Sequence, residues 1–278
     1  MVVAKPSIVQ APLGPQTQPP MSRHDVICVH TMVGYLVSTD KFFRISNGAG
    51  YDGTESHYGI GGRWGPDLGG GWDGAIWQWQ ALLRTADANF QGNPRVISIE
   101  TADNAARPIE PWTLSQVASL VDLIAWLCTP AAHAGCPRDW TCHREGIPAV
   151  LVPDTQSNRR GLAYHAQGAA EHTVGEWWST SPGKDCPTNA RISQFKNVVI
   201  PGVQRRLAGN EEEDMALSDE DKAWLRALTG GGGGVTPVSV TQQAYNLLHT
   251  DLADVQARLQ RIEDLLDQPT PPEPTPGA

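Results

Sequence analysis

Read from its N-terminus, the chain first turns apolar at Asp25–His30 (DVICVH), a β-branched run that predicts a buried strand ending on a histidine. Residues 54–62 and 72–79 give two further strand candidates around a glycine-rich loop, Gly69–Gly71. Arg95–Glu100 (RVISIE) alternates apolar and polar positions, the period-2 pattern of a half-buried strand, and ends on an acid. The period then changes. Leu114, Val117, Ala118, Val121, Ile124, Ala125 and Cys128 recur at helical spacing behind Thr113-Leu-Ser-Gln116, whose ends can satisfy each other's backbone N–H groups as a capping box. This predicts an amphipathic helix. Ala149–Val152 has strand composition, a further strand leads to His165, and Thr188 to Leu207 predicts a closing helix bent at Pro201. The mixture predicts an α/β domain over 22–208, a mixed central sheet flanked by helices.

The flanks read differently. Residues 1–21 hold five prolines and predict a flexible Pro-rich arm. Over 209–234 the pattern gives a short acidic helix, Ser218–Leu228, and a Gly230–Gly234 linker. Within 235–268, Tyr245, Leu248, Leu252, Val255, Leu259, Ile262 and Leu266 form a heptad seam, a C-terminal coiled-coil helix. A lone seam helix exposes its apolar stripe, so the reading is a homo-oligomer through 245–266, or docking on the large domain or another partner. Residues 269–278 are a Pro-rich end.

Composition narrows the function classes. With 278 residues, 40% of them hydrophobic, and ten Trp, the chain can build a substantial core. No apolar run approaches the ~18 residues that span a bilayer, so no membrane insertion is expected. The N-terminus carries no secretory-signal pattern, which predicts synthesis in the cytoplasm. The net charge of −9 is unevenly placed: residues 210–278 hold thirteen acids and four bases, whereas residues 1–209 hold seventeen of each. Nothing resembles the basic face that phosphate backbones require, which argues against nucleic acid as a partner. The five Cys are too few and too dispersed for a disulfide scaffold; Cys136 and Cys142 could pair across a short loop or stay reduced.

Eight His are present, without the HExxH arrangement of helix-borne zinc proteases. What stands out is dispersed: His30 at a strand end, His165 after Gly161-Leu-Ala-Tyr164, and Lys184-Asp-Cys186-Pro187. A hydrolytic zinc site needs three protein ligands and one open position. Only the fold could bring these three together, so spacing alone favours ordinary satisfied polar residues and a buried thiol over a metal site.

The order of these pieces resembles a known family. A strand ending in His30, Ser56-His57-Tyr58, Ile97-Ser-Ile-Glu100, a helix, a strand leading to His165 and finally Lys184-Asp-Cys186-Pro187 are together similar to the type-2 N-acetylmuramoyl-L-alanine amidases, which include peptidoglycan recognition proteins and bacteriophage endolysins. The similarity covers residues 24–207. It implies Zn2+ held by His30, His165 and Cys186, with His143 and His172 as competitors for the second ligand. It also implies Glu100 as the proton-handling carboxylate and Lys184 as the cation facing the developing oxyanion. Some relatives carry Tyr where this chain has Ser56, which shifts proton handling toward Glu100. The implied reaction is hydrolysis of the amide between N-acetylmuramic acid and L-alanine in bacterial peptidoglycan. A peptidoglycan-binding recognition protein without catalysis is the alternative; Cys186 favours the enzyme, because receptor-type relatives lose that ligand.

Aromatic faces stack on sugars, so Trp72 and Trp177 are candidate substrate contacts, and His57, which supports the sheet or the groove, is a third candidate at the substrate. Trp77 and Trp79 read as core, Cys28 as a buried structural thiol, and the Glu176–Thr180 segment as an inserted loop overhanging the groove. A wall-degrading enzyme without a signal fits a phage lysin that reaches the wall after holin-mediated release.

Overall fold

The computed structural model describes residues 3–13, 18–48, 56–63, 72–104, 111–169, 174–181 and 183–209. The acidic helix over 218–228, the linker, the seam over 245–266, the Pro-rich end and His172 lie outside them.

Among the described residues, six strands form one mixed sheet: β1 (Val9–Gln10), β2 (Val26–Thr31), β3 (Tyr58–Ile60), β4 (Ile76–Gln78), β5 (Val96–Thr101) and β6 (Gly161–Tyr164), in the order β1-β4-β3-β5-β2-β6. Only the β3–β4 pair is antiparallel. The helices are α1 (Leu36–Gly48), α2 (Leu114–Leu127), α3 (Thr141–Glu145), α4 (Asn189–Gln194) and α5 (Ile200–Ala208). Among the described residues, no helix is long and apolar enough to cross a membrane.

Strand alternation divides the core. Ile27, Val29, Ile97, Ile99 and Leu162 join Leu120, Leu123, Ile124 and Leu127 of α2 in the main cluster. On the opposite face, Val26, Cys28, Val96, Ala163, Val152 and Trp178 form a smaller cluster, with Cys28 as the buried thiol expected. The register pairs Cys28 with Ser98 and His30 with Glu100, so this second face turns from apolar to chemical toward the C-terminal ends of β2 and β5. Ligands in sheets with parallel strands gather at such carboxyl ends.

Several elements differ from the sequence reading. The arm over 1–21 contributes the edge strand β1; Ala11 and Leu13 donate to the carbonyls of Gln78 and Trp79, and Leu13 is buried. Ala149–Val152 is not a strand. Pro148 and Pro153 flank it, and only Leu151 bridges to Leu162, because proline offers no N–H to extend a ladder. Helix α1 buries Leu36 and Phe43 against Trp79 but leaves Phe42 and Ile45 exposed, so no apolar stripe announces it.

The capping box of α2 forms as read: Thr113 Oγ1 accepts from Gln116 N–H, and Gln116 Oε1 accepts from Thr113 N–H. Its buried face is rotated from the predicted one, with Gln116, Leu120 and Leu123 inside and Leu114 exposed. The closing helix runs from α4 to α5 through one wide π-type turn, Phe195–Val199. The widening sits just before Pro201, where the missing N–H and the ring's clash with the preceding turn break the regular ladder.

Candidate metal centre

The described residues gather two groups of side chains with metal-ligating geometry: His30, His165 and Cys186, and His24, His133, Cys136 and Cys142. In the first, one donor atom from each residue lies within 4.8 Å of the others, and all three residues are buried. His30 is the fifth residue of β2, His165 follows β6 directly, and the register Val29↔Tyr164 sets the two rings side by side with centroids 4.3 Å apart. Cys186 comes from the loop before α4; its Sγ accepts from Thr31 N–H at 3.3 Å, while its carbonyl accepts from Ala166 N–H. Cys186 is thus tied by backbone N–H groups to the residue that follows each histidine.

Each imidazole is oriented from behind. His30 Nε2 bonds Asn89 Oδ1 at 3.3 Å, and His165 Nε2 donates to the Trp178 carbonyl at 2.9 Å. A carbonyl oxygen only accepts, so these bonds place the ring proton on Nε2 and leave each Nδ1 lone pair facing the cluster. Burial pushes His30 well below the usual imidazole range, helped by His165 and the positive charge of Lys184. The same burial, with Lys184, takes His165 down to about 4. Both rings are therefore neutral, the form that ligates a metal. Burial pushes the Cys186 thiol up to about 12, and the charge of Glu100 adds to the shift. A bound cation reverses that balance and draws the thiolate out. Two imidazoles and a thiolate with an unfilled fourth position are the donor set of a hydrolytic zinc.

Glu100 flanks this group: its Oε1 lies 3.8 Å from His30 Nδ1, on the inward side of the ring. Lys184 is half-buried two residues before Cys186, and both histidines feel its charge. His143 is elsewhere, its Nδ1 set 3.3 Å from the His133 carbonyl. Of the described candidates for the second ligand, only His165 joins His30 and Cys186.

Three readings are corrected. His57 is fully buried, with Nε2 donating to the Arg84 carbonyl and Nδ1 within reach of Ser98; both nitrogens are used, so it braces the sheet and offers nothing to a substrate. Trp72 packs edge-on against Trp77 at 5.2 Å, beside the Trp79 cluster, and is partly buried rather than presented as a platform. The segment read as an overhanging loop is an anchor. Arg95, itself buried, pairs with Glu176 at 2.8 Å and donates to the carbonyls of Thr155, Gln156 and Arg159. Trp178 plugs into the smaller core against Gly168, where a Cβ would stand 2.4 Å from the Trp178 Cβ. Trp177 alone of the predicted aromatic contacts is exposed, at 46%.

Sequence reasoning missed the supports. Arg191 is fully buried; it donates to Thr31 Oγ1, Thr101 Oγ1 and the Ala102 carbonyl, and lies 3.7 Å from Asp103, tying the ends of β2 and β5 together beside the site. Asn89, like Arg191, carries no motif; its role exists only through the fold.

No protein-family model matches the chain, and no curated protein matches it. Among solved structures, it is similar to the endolysin N-acetylmuramoyl-L-alanine amidase LysCS from Clostridium intestinale, at 17% identity over 70% of this chain and 95% of that one, with a TM-score of 0.44. It is also similar to Drosophila PGRP-LB, at 14% identity over 69% and 95% of the two chains, with a TM-score of 0.41. The Ph2119 endolysin from a Thermus scotoductus bacteriophage shares 12% identity over 72% and 99%, with a TM-score of 0.39. At these identities and TM-scores the likeness assigns no residue a role.

Proposed function

We propose that the protein is a zinc-dependent N-acetylmuramoyl-L-alanine amidase that degrades bacterial peptidoglycan. The observation that carries this reading is the convergence of His30, His165 and Cys186 with the Glu100 carboxylate at its edge. Their type and order along the chain resemble the amidase pattern, and their orientation from behind is what a metal site requires. A recognition protein that binds peptidoglycan without cutting it has no use for a complete ligand set.

His30, His165 and Cys186 would hold the ion, which supplies Lewis acidity: it lowers the pKa of a water and polarises a carbonyl. Glu100 takes the proton of the attacking water and returns it to the departing L-alanine nitrogen, acting as base and then as acid. Lys184 supplies positive charge where the lactyl carbonyl oxygen becomes negative. Trp177 offers a flat exposed face to the glycan. Atoms balance: the C–N bond breaks, a carboxyl forms on the lactyl group, and the peptide leaves with a free amine. In this reading the enzyme is a lysin that meets the wall after holin-mediated release.

The test is incubation of the purified chain with cell walls, with and without a chelator. Peptides beginning in free L-alanine are expected only when zinc is present. Binding to walls with no such peptides would instead identify a recognition protein.

A further inference from the structure

The second group of ligating side chains stands apart from this chemistry. His24 lies two residues before β2, His133 ends the 3₁₀ turn Pro130–His133, Cys136 follows it, and Cys142 belongs to α3. His24 Nδ1 is 2.9 Å from His133 Nδ1 and 3.4 Å from Cys136 Sγ, and all four donor atoms lie within 4.8 Å of one another. All four residues are buried, and both cysteines are free thiols.

The outer ring nitrogens fix what faces inward. His24 Nε2 donates to the Leu82 carbonyl at 2.6 Å, and His133 Nε2 donates to the Leu127 carbonyl at 2.8 Å. Each neutral ring has only one proton, so both Nδ1 atoms present lone pairs to each other across 2.9 Å, with two sulfurs alongside. That arrangement needs either a proton or a metal ion among the donors, and four ligating atoms converging on one point suit the metal ion. Zinc bonds of ~2.0–2.1 Å to nitrogen and ~2.3 Å to sulfur give tetrahedral donor–donor edges of about 3.3–3.8 Å; the cluster's separations, from 2.9 Å between the two ring nitrogens to at most 4.8 Å, bracket that range. Two thiolates with two imidazoles make a closed S2N2 set without a place for water, the composition of a structural site. The Trp140 ring meets the His24 ring in a T-shaped contact, centroids 5.3 Å apart, and helps cover it.

We propose that His24, His133, Cys136 and Cys142 hold a second, structural zinc ion. It pins the segment from Pro130 to Glu145 onto the start of β2, the strand whose far end carries His30. The donors come from positions 109 residues apart between His24 and His133, so the ion closes a long loop that the small core alone would have to hold. This inference does not depend on the amidase reading.

The test counts zinc in the full chain after equilibration with zinc and removal of excess. Wild type is expected to hold two ions per chain. Cys142→Ser is expected to lose one of them, and Cys186→Ser to lose the other. X-ray absorption of the Cys186→Ser variant is then expected to show zinc with two sulfur and two nitrogen neighbours, which decides the matter even where Cys142→Ser fails to fold. No zinc in Cys186→Ser, fewer than two sulfur neighbours where it holds a single ion, or a Cys136–Cys142 disulfide in the zinc-equilibrated wild type would overturn the proposal. If Cys186→Ser retains two ions, an average of one sulfur neighbour per zinc would support it while removing Cys186 from the other site, and an average below one would overturn it.

Discussion

Glu100 Oε1 stands 3.8 Å from Nδ1 of His30, the ring nitrogen that Asn89 leaves free. The pairing follows from strand register, because His30 and Glu100 are direct neighbours on β2 and β5 and point to the same face. A carboxylate in that position could handle a proton beside a metal held by His30, His165 and Cys186 without being a ligand. Glu100→Gln keeps shape but not basicity. It is expected to retain zinc and to lower kcat by about 10²–10⁴-fold, as a positioned acid–base group does. Metal analysis beside turnover on cell walls checks this; unchanged kcat would move proton handling elsewhere.

Removing a ligand should behave differently. His30→Ala and Cys186→Ala are each expected to lose the zinc of this site together with wall lysis, because two remaining donors hold a hydrolytic zinc poorly. Full zinc content with full activity in either variant would contradict the assignment.

Asn89 provides a finer test. It touches the metal centre only through His30 Nε2. Loss of such an orienting bond typically weakens metal binding 10–100-fold, so Asn89→Leu should raise the zinc Kd by about that factor. Asn89→Asp, which keeps an acceptor at the same place, should restore most of it. Competition with a chromophoric chelator measures both.

Lys184 is half-buried and acts electrostatically on His30 and His165. Lys184→Met is expected to reduce kcat by about 10²–10³-fold with little change in zinc content, the scale for losing one oxyanion-stabilising group. A change confined to KM would place Lys184 in substrate binding instead.

His57 predicts an acid limit. Burial lowers its pKa to about 3, against 6.5 for an ordinary histidine. The unfolded chain therefore takes up this proton first as pH falls, and stability present above pH 6.5 is lost progressively down to pH 3. At pH 5 the loss amounts to about 2 kcal/mol from this residue. In denaturant titrations, His57→Gln should be less stable than wild type at pH 7, and the gap should narrow by about 2 kcal/mol at pH 5. A gap independent of pH would show that His57 titrates alike in the folded and unfolded chain.

How much of this was legible depended on whether the signal was local. His30, Glu100 and the α2 capping box sit inside short periodic segments, and each took its expected place. His165 was one of three histidines in contention, and adjacency to His30 depended on the β2–β6 register. The His24 cluster escaped notice because its fourth member lies far along the chain, although His133, Cys136 and Cys142 fall within ten residues. Trp178 was misread because composition shows an aromatic loop and not the Gly168 recess that receives it. Ala149–Val152 was misread because strand composition outweighed the prolines on either side.

The most direct measurement is digestion of cell walls in ¹⁸O-water, followed by mass spectrometry of both product halves. Cleavage by this site predicts one ¹⁸O in the lactyl carboxyl of the muramic acid and an unlabelled peptide with a free L-alanine amine. Label in a stem-peptide carboxyl, or at a sugar reducing end, would contradict it.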